Sequence, residues 1–227
     1  MTDARSFNLA DLFEVVADAC PDRVALVASG GPPDRRLTYA ELDARANRVA
    51  HHLAAARVGP GDRVGVLACN RAEWVETMIG CFKLRAAPVN VNYRYVTDEL
   101  THLLGNAGCV ALVAERSLLP GVDRDRLPEL RHVLTIDGDY EDALAAVSPE
   151  RGFGPRSSDD PYLLYTGGTT GLPKGCCGGA RTSSSRPWAG ELRRAPVSAP
   201  EELAACAAAI RCGRRCTRRS CTAAASG

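Results

Sequence analysis

Short apolar runs recur along the first 175 residues, and most are followed by a stretch with helical spacing. Val24–Ala28, Arg63–Ala68, Ala87–Val91, Val110–Ala114, Val133–Ile136 and Tyr162–Tyr165 are each four to six residues long, the length of a buried strand. Between them, Asn8–Cys20 puts Leu9, Leu12, Phe13, Val16 and Ala17 at helical spacing, and a stretch running to about Arg57 does so with Leu42, Ala46, Val49, Ala50 and Leu53. Trp74–Leu84, Asp98–Asn106 and Tyr140–Val147 read as further helices. Thr38-Tyr-Ala-Glu41 fits a capping box, in which the threonine hydroxyl and the glutamate carboxylate each satisfy a free N–H; Asn70 with Glu73 suggests a second cap. Strands alternating with helices predict an α/β fold of layered sheet and helices.

Composition divides the chain in two. The net charge of +1 averages a body, residues 1–175, with 19 Lys+Arg and 24 Asp+Glu, and a tail, residues 176–227, with 9 Arg and 3 Glu. The tail holds six of the ten cysteines and no Lys, Asp, His, Tyr, Phe or Met. Only Glu201–Ile210 within it has helical character, and a segment that short is marginal by itself. The body cysteines, Cys20, Cys69, Cys81 and Cys109, sit among apolar residues and read as buried free thiols of a reducing compartment, which makes a cytoplasmic protein the expectation. No run of about 18 apolar residues is present, and the N-terminus lacks a signal-peptide pattern.

Directly after the last apolar strand comes Tyr165-Thr-Gly-Gly-Thr-Thr-Gly-Leu-Pro-Lys-Gly175. Gly167, Gly168 and Gly171 let backbone N–H groups approach an anion closely. Thr166, Thr169 and Thr170 offer hydroxyl donors, Lys174 supplies a positive charge, and Pro173 stiffens the approach to it. These residues are the candidate phosphate-binding set. The loop is not a Walker P-loop, because Lys174 follows a proline and precedes a glycine, and G-x-G-x-x-G is absent.

The loop resembles, at nearly every position, the signature of the adenylate-forming superfamily of acyl-CoA synthetases, luciferases and peptide-synthetase adenylation domains. Gly167 stands where serine is usual. The resemblance covers about residues 7–175: Leu37-Thr-Tyr-Ala-Glu-Leu42, Gly61-Asp-Arg-Val64, and Asn70-Arg-Ala-Glu73 through Pro88-Val-Asn-Val-Asn92 follow the family's order. Asn90-Val-Asn-Tyr-Arg-Tyr95 favours acyl-CoA synthetases over amino-acid adenylation domains. Arg85 departs from the pattern, which has glycine there, and is expected to strain its turn. The resemblance implies the N-terminal portion of the adenylate-forming ligase fold. It also implies a two-step reaction in which a carboxylic acid, ATP with Mg2+, and coenzyme A yield an acyl-adenylate and then a thioester. The loop's implied role is to hold the β- and γ-phosphates.

The family's adenine, ribose and acyl motifs and its catalytic lysine are absent from residues 176–227. The expected organisation is therefore a partial AMP-binding (adenylation) domain over 1–175 and a non-family tail over 176–227 that is disordered or read out of frame. The chain alone is expected to be a truncated, inactive fragment with exposed apolar surface. A non-catalytic nucleotide-phosphate binder, or an amino-acid or aryl-acid adenylating enzyme, are the alternatives. No catalytic residue and no metal ligand is assigned. Cys206, Cys212, Cys216 and Cys221 lack zinc spacing, and the basic run Arg211–Arg219 lacks the aromatics of a nucleic-acid site, so small molecules are the expected partners. The four histidines have no partner by spacing, and Trp74, Phe82 and Cys69 are expected in the core.

Overall fold

The computed structural model describes residues 7–29, 35–166, 174–179 and 203–204. Two antiparallel strands, β1 (Val24–Ala28) and β2 (Arg35–Thr38), form a small separate sheet. The main sheet has six strands: β3 (Arg63–Leu67), β4 (Ala87–Val91), β5 (Cys109–Ala114), β6 (His132–Thr135), β7 (Pro161–Thr166) and β8 (Lys174–Gly179), in the order β6-β5-β3-β4-β7-β8. All neighbours are parallel except the last pair, which is antiparallel. The helices are α1 (Leu9–Ala19), α2 (Tyr39–Ala55), α3 (Ala72–Lys83), α4 (Thr97–Ala107) and α5 (Tyr140–Ala145), with 3-10 turns at Arg116–Gly121 and Arg124–Arg126. None is long and apolar enough to cross a membrane, among the described residues.

Alternation along the strands sends side chains to two faces. Val64, Ala111 and Val113 meet Val49 and Leu53 of α2, Cys81 of α3, and Tyr140 and Leu144 of α5. Leu112, Ala114, Val89 and Val91 face Leu100, Leu103 and Leu104 of α4. Helices therefore cover both faces, which is why the strands read as nearly continuous apolar runs.

The capping box forms at Thr38: Glu41 N–H donates to Thr38 Oγ1 at 3.2 Å and Thr38 N–H to Glu41 Oε2 at 2.7 Å. The cap expected from Asn70 does not form. Arg71 is the N-cap residue of α3 and makes no side-chain cap bond, while Glu73 is engaged by Arg35 at 3.0 Å and Arg71 at 3.2 Å. Arg85, just past α3, has φ 62°, the left-handed conformation that glycine adopts without strain. The expected helix at Glu201–Ile210 lies outside the described residues except for Leu203 and Ala204, which are helical.

Candidate functional site

Parallel order places the carboxyl ends of β3, β4, β5, β6 and β7 on one edge of the sheet. The connection from β3 runs through α3 to β4, and the connection from β4 runs through α4 back across β3 to β5. Successive connections leaving to opposite faces open a crevice at the carboxyl ends of β3 and β4, the position at which open α/β sheets receive ligands. A cavity of about 700 Å³ lies there, lined by Cys69, Asn70 and Arg71 after β3, Asn92 and Tyr93 after β4, and Tyr165 of β7 among others. The turn after β3 is pinned by Cys69 N–H donating to Glu115 Oε1 at 2.7 Å and by Arg71 paired to Asp137 at 2.8 Å. Cys69 is exposed at this lip, not buried as its apolar neighbours suggest; Cys20, Cys81 and Cys109 are buried, and all four thiols are free. Burial pushes the Cys109 thiol up to about 12 and Cys81 higher still, so neither forms a thiolate near neutrality.

The candidate phosphate loop leaves the same edge. Thr166 closes β7, Lys174 opens β8, and the two are register partners, so Thr166 and Lys174 stand side by side at the end of an antiparallel pair. Gly167, Gly168, Thr169, Thr170 and Gly171 lie outside the described residues. Two neighbours explain the loop's flanks. Tyr165 O–H donates to Asn106 Oδ1 at 2.9 Å, tying β7 to α4. Gly175 is opposite Tyr165, and a Cβ there would meet the phenol ring at 2.8 Å, so a larger residue would require that ring to shift. β8 continues through Cys176 and Cys177 to Gly179, four residues past the point where the composition changes.

Elsewhere the structure joins groups that sequence spacing separates. His52 Nε2 and His132 Nε2 are 3.0 Å apart, 80 residues apart in the chain, and burial holds both imidazoles below their ordinary value. Among the described residues, no three side chains of metal-ligating type converge.

Comparison with known proteins agrees with this geometry. Residues 13–185 match the AMP-binding enzyme family. A 3-oxocholest-4-en-26-oate–CoA ligase of Rhodococcus rhodochrous is 48% identical over 185 residues, covering 75% of this chain and 32% of the relative. A medium/long-chain-fatty-acid–CoA/3-oxocholest-4-en-26-oate–CoA ligase of Mycobacterium tuberculosis is 48% identical over 187 residues, covering 76% and 33%. The crystal structure of the anthranilate CoA ligase AuaEII with anthranoyl-AMP superposes with a TM-score of 0.72 at 27% identity, over 78% of this chain and 34% of that one. The chain thus spans about a third of the length of these relatives. With Thr166 and Lys174 paired at the carboxyl edge of a doubly wound sheet and a family match over 13–185, the chain belongs to the AMP-binding enzymes.

Proposed function

We propose that this chain is the phosphate-gripping part of an ATP-dependent acid–CoA ligase. In the reaction assigned to the whole enzyme, a carboxylate oxygen attacks the α-phosphorus of ATP, the bond to the β-phosphate breaks, and acyl-adenylate and pyrophosphate form. The thiolate sulfur of CoA then attacks the acyl carbon and AMP leaves, giving the thioester. This chain's share is positional and electrostatic. N–H groups of Gly167, Gly168 and Gly171, the hydroxyls of Thr166, Thr169 and Thr170, and the ammonium of Lys174 hold the departing phosphates and offset their growing charge. Mg2+ would come bound to the ATP phosphates and offset their charge, and the hydroxyls of Thr166, Thr169 and Thr170 are the oxygen donors of the candidate set that suit it.

The observation that carries this reading is the register pair Thr166–Lys174, which sets the two ends of the glycine loop side by side at the carboxyl edge. The relatives named as ligases of fatty and cholestenoic acids favour an aliphatic or sterol side-chain acid. The likeness to an anthranilate ligase keeps an aryl acid as the second reading. A cytoplasmic location accords with the free thiols. The composition changes at residue 176, but the family match runs to residue 185 and β8 to Gly179, so the tail read as outside the family pattern and out of frame is the part beyond residue 185; translating the same DNA in the other two frames recovers a helix and the later family motifs if this is so, and recovers neither if the tail is genuine.

Calorimetric titration of the 227-residue chain with MgATP tests the central role. Losing one charge-assisted contact to phosphate costs about 1.5–3 kcal/mol, so Lys174→Ala should weaken binding roughly ten- to a hundredfold. Equal affinity in the two proteins would contradict it. Binding without ATP–pyrophosphate exchange in the chain joined to the downstream family segment would favour the non-catalytic binder.

A further inference from the structure

The hairpin that carries the loop is lightly attached to the sheet. β7 has one register pair with β4, Val89 with Leu163, whereas β3 and β4 pair over five positions. On its other side β7 meets only β8, the last strand of the sheet. Leu163 packs on the core beside α4, and the Tyr162 ring lies 6.0 Å from Phe82; the polar ties of the hairpin lie at its two ends. Tyr165 is tied to Asn106 near the loop. At the opposite end, Asp160 sits immediately before β7, only 8% exposed, and collects three donors. Arg85 Nε donates to its Oδ1 at 2.9 Å, and Asn8 Nδ2 and Ser157 N–H each donate to Oδ2 at 3.0 Å.

The two side-chain donors come from packed elements. Asn8 is the N-cap residue of α1: its Oδ1 accepts Ala10 N–H at 2.8 Å, and its amide also donates to Phe82 O, in α3, at 2.8 Å. Arg85 follows α3 directly, in the left-handed conformation noted above. The base of β7 is therefore knotted to the start of α1 and the end of α3. A glycine at position 85 would sit there without strain but would leave Asp160, a buried carboxylate, short of its only cationic partner among the described residues.

We propose that Arg85 is a positioning residue for the phosphate loop: through Asp160 it fixes the start of β7, and so the direction in which Thr166 and Lys174 present the loop. This rests on reading Tyr165–Gly175 as the phosphate site. It also reverses the sign expected from backbone conformation alone, on which Arg85→Gly should be a favourable change.

Amide hydrogen exchange and MgATP titration on the 227-residue chain and on Arg85→Gly, Arg85→Lys and Asp160→Asn decide it. The expected result is exchange at Tyr162–Thr166 about tenfold faster in Arg85→Gly, with β3 and β5 amides no faster than in the parent. MgATP should bind about fivefold more weakly in Arg85→Gly and Asp160→Asn, the size of one partly screened ionic contact. Arg85 meets Asp160 through Nε alone, so Arg85→Lys should stay within about twofold of the parent in both measurements. Unchanged exchange in β7, exchange quickened equally in every strand, or loosened exchange with undiminished MgATP affinity would each overturn the proposal. If Asp160→Asn fails to fold, Arg85→Gly decides. If the parent chain binds no MgATP, the phosphate reading falls, while the exchange data still show whether Arg85 fixes β7.

Discussion

Glu76 is fully buried on α3, and its charge is tolerable because three groups converge on it. Arg45 Nε donates at 2.7 Å, Tyr140 O–H at 2.8 Å, and Arg35 lies 3.5 Å away. Burial, and next the Glu76 charge, raise the Tyr140 phenol well above its ordinary value, so it stays a donor. Tyr140→Phe should therefore cost about 1–3 kcal/mol in urea unfolding with an unchanged m value, because one carboxylate oxygen loses its partner. A loss below about 0.5 kcal/mol would mean that the ring alone matters. The facing imidazoles of His52 and His132 give a pH dependence of definite sign. Their folded-state values lie below the ordinary 6.5, chiefly through burial, with mutual repulsion added at His132 and Asp139 opposing at both. The unfolded chain then binds more protons, so their contribution is complete above about pH 6.5 and is lost as pH falls through the depressed values. Melting temperature should fall more steeply below that point in the parent than in a His52→Asn/His132→Asn double variant. Parallel curves would rule this out. Neither cluster was legible in the sequence: Glu76 and Tyr140 are 64 residues apart and the two histidines 80. Spacing reveals partners within one helix, not across the sheet. Arg85 was legible only through the resemblance, whose pattern has glycine at that position, and its φ of 62° agrees with that.

At the level of elements, α2 and α3 cross at Gly80. A Cβ there would stand 3.0 Å from the backbone carbonyl oxygen of Ala46 and 3.0 Å from Val49 Cγ1. The backbone atom cannot swing aside, so Gly80→Ala should push the helices apart and cost about 1–3 kcal/mol, despite alanine's better helix propensity. Stabilisation by this variant in thermal unfolding would contradict that packing. The helices could be read from periodicity because each buries a regular face, and the main strands from their apolar runs because helices cover both sides of the sheet. β2 could not: Arg35-Arg-Leu-Thr38 carries one buried residue, Leu37, and exists as a strand because β1 pairs with it. β8 was hidden for a related reason. Lys174–Gly179 has no apolar pattern, and what aligns it is backbone pairing to β7 over six positions. The Asn70 cap is absent because α3 begins one residue later than its spacing suggests, with Arg71 at the N-cap, and Glu73 pairs with two arginines instead.

Across the whole molecule, strand order does the functional work. The crossover from β4 back over β3 opens the crevice, and the parallel run places the end of β7 on the same edge, so the cavity and Thr166 lie on one side of the sheet. The sequence contains the loop and the alternation but not the strand order, which depends on which strands meet across the core. Phosphorus NMR of ATP with Mg2+ in the presence of the 227-residue chain reads the central claim most directly. The β- and γ-phosphate resonances should shift or broaden more than the α resonance, and Lys174→Ala should largely abolish the effect. Resonances that do not respond to the chain, or that respond equally to the Lys174→Ala protein, would contradict it.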